Sequence, residues 1–454
     1  MQAVSILRLG RQPVAPSRSA NPPRSKRKAG AGRNGTGLAS LAPDRAQCRG
    51  LRRQCIGTHV RRNTAMSKIA AARIYSVTGS KLHPIVLELK TDDGLTGLGE
   101  AAIAYGVGGI AAAAMIKDVC ERIVLGKDAS RIEALWHEMY DHTFWAKGGG
   151  AIVFAAISAV ETALWDIKGK RLGVPVYELL GGLVHDRLPC YANGWNYEFL
   201  DATSWAKAAE KPLADGYKAI KCYPFAVPTE ASRTLRHVTR RTLTGELIEL
   251  AYQRVKELSK VVGGSGDILL DLSGGLTTDE TIRFCERVQE FNIGWIEEPA
   301  DPFDVGALRK VADRIHTPLA AGERLYTRYG FRKVLETQAI EIVQPDVGNT
   351  GGLLETKKIA AMAEAYNMRF APHNCASGIS TAASAHIGAC TSNFMTLEVY
   401  PYFVNYPNYV EILQENPERR IKDGFLAPDP RPGLGVELDR KVADRFLFAE
   451  CTAG

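Results

Sequence analysis

Six polar residues stand at nearly constant intervals in the second half of this 454-residue chain: Asp271, Glu297, Glu323, Asp346, His373 and Glu398, spaced 26, 26, 23, 27 and 25 residues apart. Each ends an apolar run such as "DILLD", "IGWIE" or "MRFAPH". Singly, an acid at a strand end is ordinarily a solvated loop residue or a helix N-cap. Six in one phase imply a repeated unit that delivers them to a common height. Carboxylates brought within a few ångströms repel one another, and their proton affinities rise unless a cation neutralises them. Oxygen donors without Cys or a His-x-x-x-His pair select a hard ion, Mg²⁺ before Mn²⁺, that keeps positions open for water or substrate. Such an ion suits removal of a proton α to a carboxylate, where it stabilises developing charge while a positioned base takes the proton.

The elements that must position these residues alternate. From about residue 190, short apolar runs ("DILLDLSGG", "IGWIEEP", "TPLAAGE", "AIEIVQPD", "MRFAPHN", "NFMTLEVY") are separated by stretches at helical spacing, for example Ile359, Met362, Ala363 and Tyr366. Thr277-x-x-Glu280 reads as a capping box opening one of these helices. Alternating strand and helix predicts a parallel sheet, and this many units in succession favour closure into a barrel over an open sheet. In a barrel the six residues ring the C-terminal mouth. Ahead of this region, "AARIYSV" and "IVLELKT" alternate as strands, and "FAAISAVETALWDIKGK" reads as a helix ending near Gly173.

The motifs "DLSGG", "WIEEP", "AGE", "QPDVGNTGG" and "PHN" at these intervals resemble the mandelate racemase group of the enolase superfamily, over about residues 66–454. The resemblance implies an α/β fold: a modified TIM barrel, (β/α)7β, over 191–410. An N-terminal α+β capping domain over 66–190 would be completed by a C-terminal segment, 411–454. It implies Asp271, Glu297 and Glu323 as metal ligands, Asp346 paired with His373 as an acid/base dyad, and Glu398 as an electrophilic carboxyl group near the substrate. Glu297, which keeps the 26-residue phase on both sides, is preferred to Glu298, a supporting residue. Where the group carries Lys-x-Lys, this chain has "YKAIKCYPF", aligning Lys221 with the first lysine and Tyr223 with the second, both inward on a strand of period two. A tyrosine there needs a neighbouring cation, such as Lys221, to act as a base near neutrality. Ser273 replaces a histidine acid of the galactonate dehydratase type.

The activity so implied is Mg²⁺-dependent dehydration of an acid sugar, an aldonate or aldarate. Abstraction of the α-proton would give an enediolate, and loss of a β-hydroxyl a 2-keto-3-deoxy acid. Racemase, epimerase or lactone cycloisomerase activity would share the first step, and a barrel without catalysis is the remaining alternative. Selectivity loops are expected around Gly79–His83 with Tyr105 and around Asp141–Gly150, with His142, Trp145 and Lys147 as lining candidates. "VGNTGG" lacks the phosphate-binding pattern and reads as an ordinary loop.

Composition narrows the rest. The formal charge of +7 is concentrated in residues 1–65, which carry +13, leaving −6 on the remaining 389 residues. An acidic body argues against a nucleic-acid groove. The Arg-, Ser-, Pro- and Gly-rich leader lacks apolar periodicity and is expected to be disordered, either an Arg-rich transit peptide or sequence ahead of a start at Met66, the latter preferred. No apolar stretch long enough for a membrane span occurs. Nine cysteines without a C-x-x-C pair suit a reducing cytoplasm. A small-molecule substrate and a homo-oligomer are expected, with no nucleic-acid or membrane partner.

Overall fold

The computed structural model describes residues 67–454 except 80, 230–231, 237–242 and 406, so the leader and the start at Met66 lie outside the described residues. The described chain opens with three antiparallel strands, β1 (Ile69–Ser76), β2 (Ile85–Thr91) and β3 (Thr96–Ala101). Helix Ala151–Leu172 packs on β3, and Gly97 and Gly99 make the approach possible: a Cβ there would stand 2.2 Å from the Ala163 carbonyl oxygen and 1.9 Å from that of Ala159. The helix stops at Gly173, whose left-handed conformation (φ 71°) ends it as expected.

Eight strands then pair in parallel: β4 (Leu188–Ala192), β5 (Ala219–Cys222), β8 (Asp267–Asp271), β9 (Ile293–Glu297), β10 (Leu319–Ala321), β11 (Ile342–Val343), β12 (Arg369–Phe370) and β13 (Leu397–Val399). An antiparallel hairpin, β6 (Val227–Thr229) and β7 (Ser232–Arg236), is inserted after β5. Adjacent strands follow the order β12-β11-β10-β9-β8-β5-β4-β13. The ring closes where the Phe370 amide donates to the Asn393 carbonyl (2.8 Å) and the Met395 amide to the Phe370 carbonyl (2.7 Å). Seven helices alternate with these strands among the described residues, so the barrel is the expected (β/α)7β. The capping box forms in both directions, Thr277 with Glu280. After β14 (Phe425–Leu426), which pairs with β4, the chain returns to the first sheet, where β15 (Leu447–Thr452) pairs with β1.

The barrel interior is layered. Tyr191, Leu269, Trp295, Ala320, Ile342 and Ala371, each from a different strand or its continuation, fill one buried layer. Two residues further along, period-two geometry puts Asn193, Asp271, Glu297, Gln344 and His373 one layer nearer the mouth. The polar height is therefore a consequence of an apolar plug beneath it. Among the described residues, no helix is long and apolar enough to cross a membrane, and the seven described cysteines are unpaired.

One buried cation anchors the end of β5. Arg254, fully buried on helix Gly245–Val262, donates to the carbonyls of Pro224 (2.8 Å), Ala226 (2.7 Å) and Leu200 (3.0 Å), and its guanidinium lies 4.4 Å from the Trp205 ring. Burial pulls its proton affinity down, to about 10. The turn it holds begins at Tyr223, whose carbonyl accepts from the Ala226 amide (3.1 Å). Arg254→Met is expected to destabilise the fold by on the order of 3 kcal/mol, roughly 1 kcal/mol for each buried carbonyl left unpaired. Urea unfolding of the two proteins measures it; an unchanged midpoint would refute the anchoring role.

Candidate active site

Asp271, Glu297 and Glu323 converge: one carboxylate oxygen from each lies within 4.8 Å of the others. Asp271 and Glu297 reach this place by strand parity, paired across β8 and β9. Glu323 stands three residues after the interior Ala320, and the parity is corrected at Gly322 (φ 144°). A Cβ at Gly322 would press to 2.9 Å on Phe331 and 3.0 Å on the Gln344 backbone. Glu298 goes elsewhere because its backbone turns left-handed (φ 44°). Its carboxylate accepts from the Gly322 amide (3.2 Å) and from Arg324 Nε (3.0 Å). Thus Glu297, and not Glu298, shares the cluster.

The charge in this cluster is only partly offset. Burial lifts the Asp271 carboxyl, Lys221 pulls it back and Glu323 adds repulsion, leaving it at about 6. Burial also raises Glu297, with Lys221 opposing and Asp271 adding to the rise. Three oxygen donors with excess negative charge and no sulfur or nitrogen among them fit a hard divalent cation. Ser273, left-handed at φ 46°, donates from its amide (2.7 Å) and hydroxyl (3.0 Å) to Asp271 Oδ1 and so orients that carboxylate.

Lys221 and Tyr223 flank the cluster on one side, and Asp346 and His373 on the other. Lys221 Nζ is held 2.7 Å from both Glu297 and Glu398. Burial opposes its charge, but these two carboxylates lift its proton affinity well above that of an ordinary lysine. Its ammonium is thereby committed to carboxylates. Lys221, expected as the activating cation of Tyr223, is held by two carboxylates, and the rise of the Tyr223 phenol is opposed by a hydrogen bond with Ser273 and by Arg324. Burial and Asp271 still push the phenol up. His373 Nδ1 lies 2.7 Å from Asp346 Oδ2 and its Nε2 3.3 Å from Glu323. Burial works against a charged imidazole, yet Glu323, Glu398 and Asp346 together push it up to about 10.

A cavity of about 520 Å³ opens on these groups, lined at its floor by Lys221, Tyr223, Asp271, Glu323 and His373. Glu398 lies beneath that surface, fully buried, accepting from Asn193 Nδ2 (2.8 Å) and the Asn374 amide (3.0 Å). It contacts Lys221 where an electrophilic group facing the substrate was expected. Lys81, Leu82, His83 and Tyr105, from the first of the two loops expected around the cavity, line it. Lys147 and His142 do not: Lys147 Nζ pairs with Asp141 (2.7 Å) on the outer surface, and His142 is exposed at the end of its helix. The Trp145 side chain lies outside the described residues. Sequence reasoning missed Arg324, Asn193 and Asn349, all of which line the cavity. The position of Arg324 directly after "AGE", and that of Asn349 inside "VGNTGG", were the available signals.

Comparison with known proteins agrees with this architecture. A family model described as the mandelate racemase / muconate lactonizing enzyme N-terminal domain matches residues 57–181, and one described as enolase C-terminal domain-like matches residues 204–442. A D-galactonate dehydratase of Ralstonia pickettii is 33% identical over 375 residues, covering 82% of this chain and 93% of that protein. Another, of Xanthomonas euvesicatoria, is 34% identical over 369 residues, covering 80% and 90%. Among solved structures, a provisionally assigned dehydratase from Mesorhizobium loti is 54% identical with a TM-score of 0.81, covering 85% of this chain and 100% of that one. A member of the enolase superfamily from Salmonella Typhimurium is 33% identical with a TM-score of 0.79, covering 86% and 100%. With both halves of the chain matched and the strand-end cluster in place, the chain belongs to the mandelate racemase and muconate lactonizing enzyme family of the enolase superfamily.

Proposed function

We propose that this protein is a hydro-lyase that removes water from an acid sugar to give a 2-keto-3-deoxy acid. The reading is carried by one observation: two groups able to move a proton, Tyr223 and His373, line the same cavity as Asp271 and Glu323, from the ends of strands that flank, in the order of the sheet, those leading to the three carboxylates. The names of the curated relatives point the same way. A divalent cation of the Mg²⁺ type held by Asp271, Glu297 and Glu323 would supply positive charge for a substrate carboxylate and its developing anion, and would offset the pull of Glu323 on the His373 proton.

His373 takes the proton from the carbon α to the carboxylate at Nε2, while Asp346 accepts Nδ1–H, fixes the ring and stabilises the imidazolium. Tyr223 keeps its proton because it is buried beside Asp271, and it gives that proton to the departing β-hydroxyl. Cα–H and Cβ–O have then broken, water has left, and the enol so formed becomes the ketone. Lys221, braced by Glu297 and Glu398, lines the same cavity. Ser273 binds both Asp271 and Tyr223 and so orients the two, and acid assistance is assigned to Tyr223. Cytoplasmic location accords with the unpaired cysteines.

A panel of aldonates and aldarates incubated with Mg²⁺ in D₂O and followed by NMR tests this reading. Formation of a 2-keto-3-deoxy acid is expected; α-deuterium incorporation without loss of water would favour an epimerase instead. In the same assay His373→Asn is expected to lower both exchange and product formation by about 10²–10⁴-fold. Tyr223→Phe should lower product formation by about 10²-fold while retaining exchange, because it removes only the acid; equal loss of both would reassign the tyrosine to proton abstraction. Glu297→Gln should weaken Mg²⁺ binding in calorimetry by at least about tenfold, since a ligand charge is lost. Unchanged affinity would remove Glu297 from the metal site.

A further inference from the structure

Two carboxylates of the cap, remote from the cavity surface, contact the loops that carry the dyad. Glu100, buried on β3, accepts through Oε1 from the Ser377 amide (2.9 Å), and through Oε2 from the Ser377 hydroxyl (2.7 Å) and the Ser380 amide (3.1 Å). These donors open helix Gly378–Ala389, which begins five residues after His373. Glu161, buried on helix Ala151–Leu172, accepts from the amides of Leu353 (2.7 Å) and Leu354 (3.0 Å), which open helix Leu353–Ala365 after Asp346. Trp165 Nε1 (2.7 Å) gives Glu161 a third donor. Every bond given to these four oxygens comes from a donor, and each carboxylate spans a helix start whose partial positive charge it complements.

The intervening loops are tied down with them. The Ala102 amide donates to the Gly348 carbonyl (3.1 Å), Asn349 Nδ2 to the Ala102 carbonyl (3.0 Å) and the Gly351 amide to Ser158 Oγ (2.8 Å). The loop "VGNTGG", expected to be ordinary, is thus a docking strip between cap and barrel. Asp346 and His373 form a parallel bridge that continues β11 and β12 and meet side chain to side chain at 2.7 Å, and the loops that leave them are the ones held by the cap.

We propose that Glu100 and Glu161 are positioning residues for the Asp346–His373 pair, so that the cap sets the geometry of proton transfer as well as covering the cavity. The inference rests on the acid/base reading of His373. A glutamine at either place keeps the size but turns an NH₂ toward backbone N–H groups, which splays the helix start. Asp166 is the control: it too is a buried acid of helix Ala151–Leu172, accepting from the amides of Leu98 (2.9 Å) and Leu434 (2.8 Å), but it touches neither dyad loop.

The test compares Glu100→Gln, Glu161→Gln, Asp166→Asn and His373→Asn in the full chain, with kcat, KM, α-deuterium wash-in and thermal unfolding measured on each. Both glutamine variants should lose about 10–100-fold in kcat and in wash-in, as a misplaced base does, with KM within about twofold. Asp166→Asn should lower the unfolding midpoint with kcat within about twofold. If Glu100→Gln does not fold, Ser377→Ala removes one donor of the same contact and should show a smaller fall in kcat. Glutamine variants that behave like Asp166→Asn beside an inactive His373→Asn would overturn the positioning role alone. A fully active His373→Asn would overturn the acid/base reading and this inference with it.

Discussion

Crowding of carboxylates at the mouth of the barrel is the interaction on which the rest depends. Asp271, Glu297, Glu323 and Glu398 are drawn into one place with limited access to water, where repulsion between like charges is weakly screened. Among the described residues the buried ammonium in this group is Lys221, and it pairs with Glu297 and Glu398. Arg324 is spent on Glu298. The side formed by Asp271 and Glu323 keeps its excess charge and faces the cavity. On the proposed function, a site built this way would hold a cation, and through it an anionic substrate, in a pocket also lined by Tyr223 and His373.

The fold reaches that arrangement by a layered barrel and two local departures from strand geometry. An apolar layer that includes Trp295 and Leu269 supports the polar one, so strands place Asp271 and Glu297, while Glu323 stands in the turn just after β10. At Gly322 the chain breaks alternation to bring Glu323 inward, and at Glu298 it breaks alternation to take a second acid out of the cluster. Both departures lie at the reacting end of the barrel, where strained backbone is commonly found. The cap then closes the top and, through Glu100 and Glu161, grips the helices that follow Asp346 and His373.

Much of this was legible in the sequence because a βα unit has a nearly constant length. The spacing of Asp271, Glu297 and Glu323 reported their common height before any coordinates, and the alternation of "YKAIKCYPF" reported that Lys221 and Tyr223 share a face. What spacing cannot report is contact. Glu398 kept the phase and yet lies under the cavity surface, because Asn193 and Asn374 bind it from either side. Lys147 was legible as a charged residue in a glycine-rich loop, but its partner Asp141 holds it outside. Arg254, Glu100 and Glu161 left no motif: a buried charge on a helix or a cap strand reads as surface polarity until its partners, distant in sequence, are known.

On the proposed function the three phased carboxylates form one cation site, with Glu298 outside it. Crystals grown or soaked with Mn²⁺ test it most directly, through an anomalous difference map at the manganese edge. A single peak is expected at coordination distance from Asp271, Glu297 and Glu323. No peak there at saturating Mn²⁺, or a peak coordinated by Glu298 in place of Glu297, would contradict it.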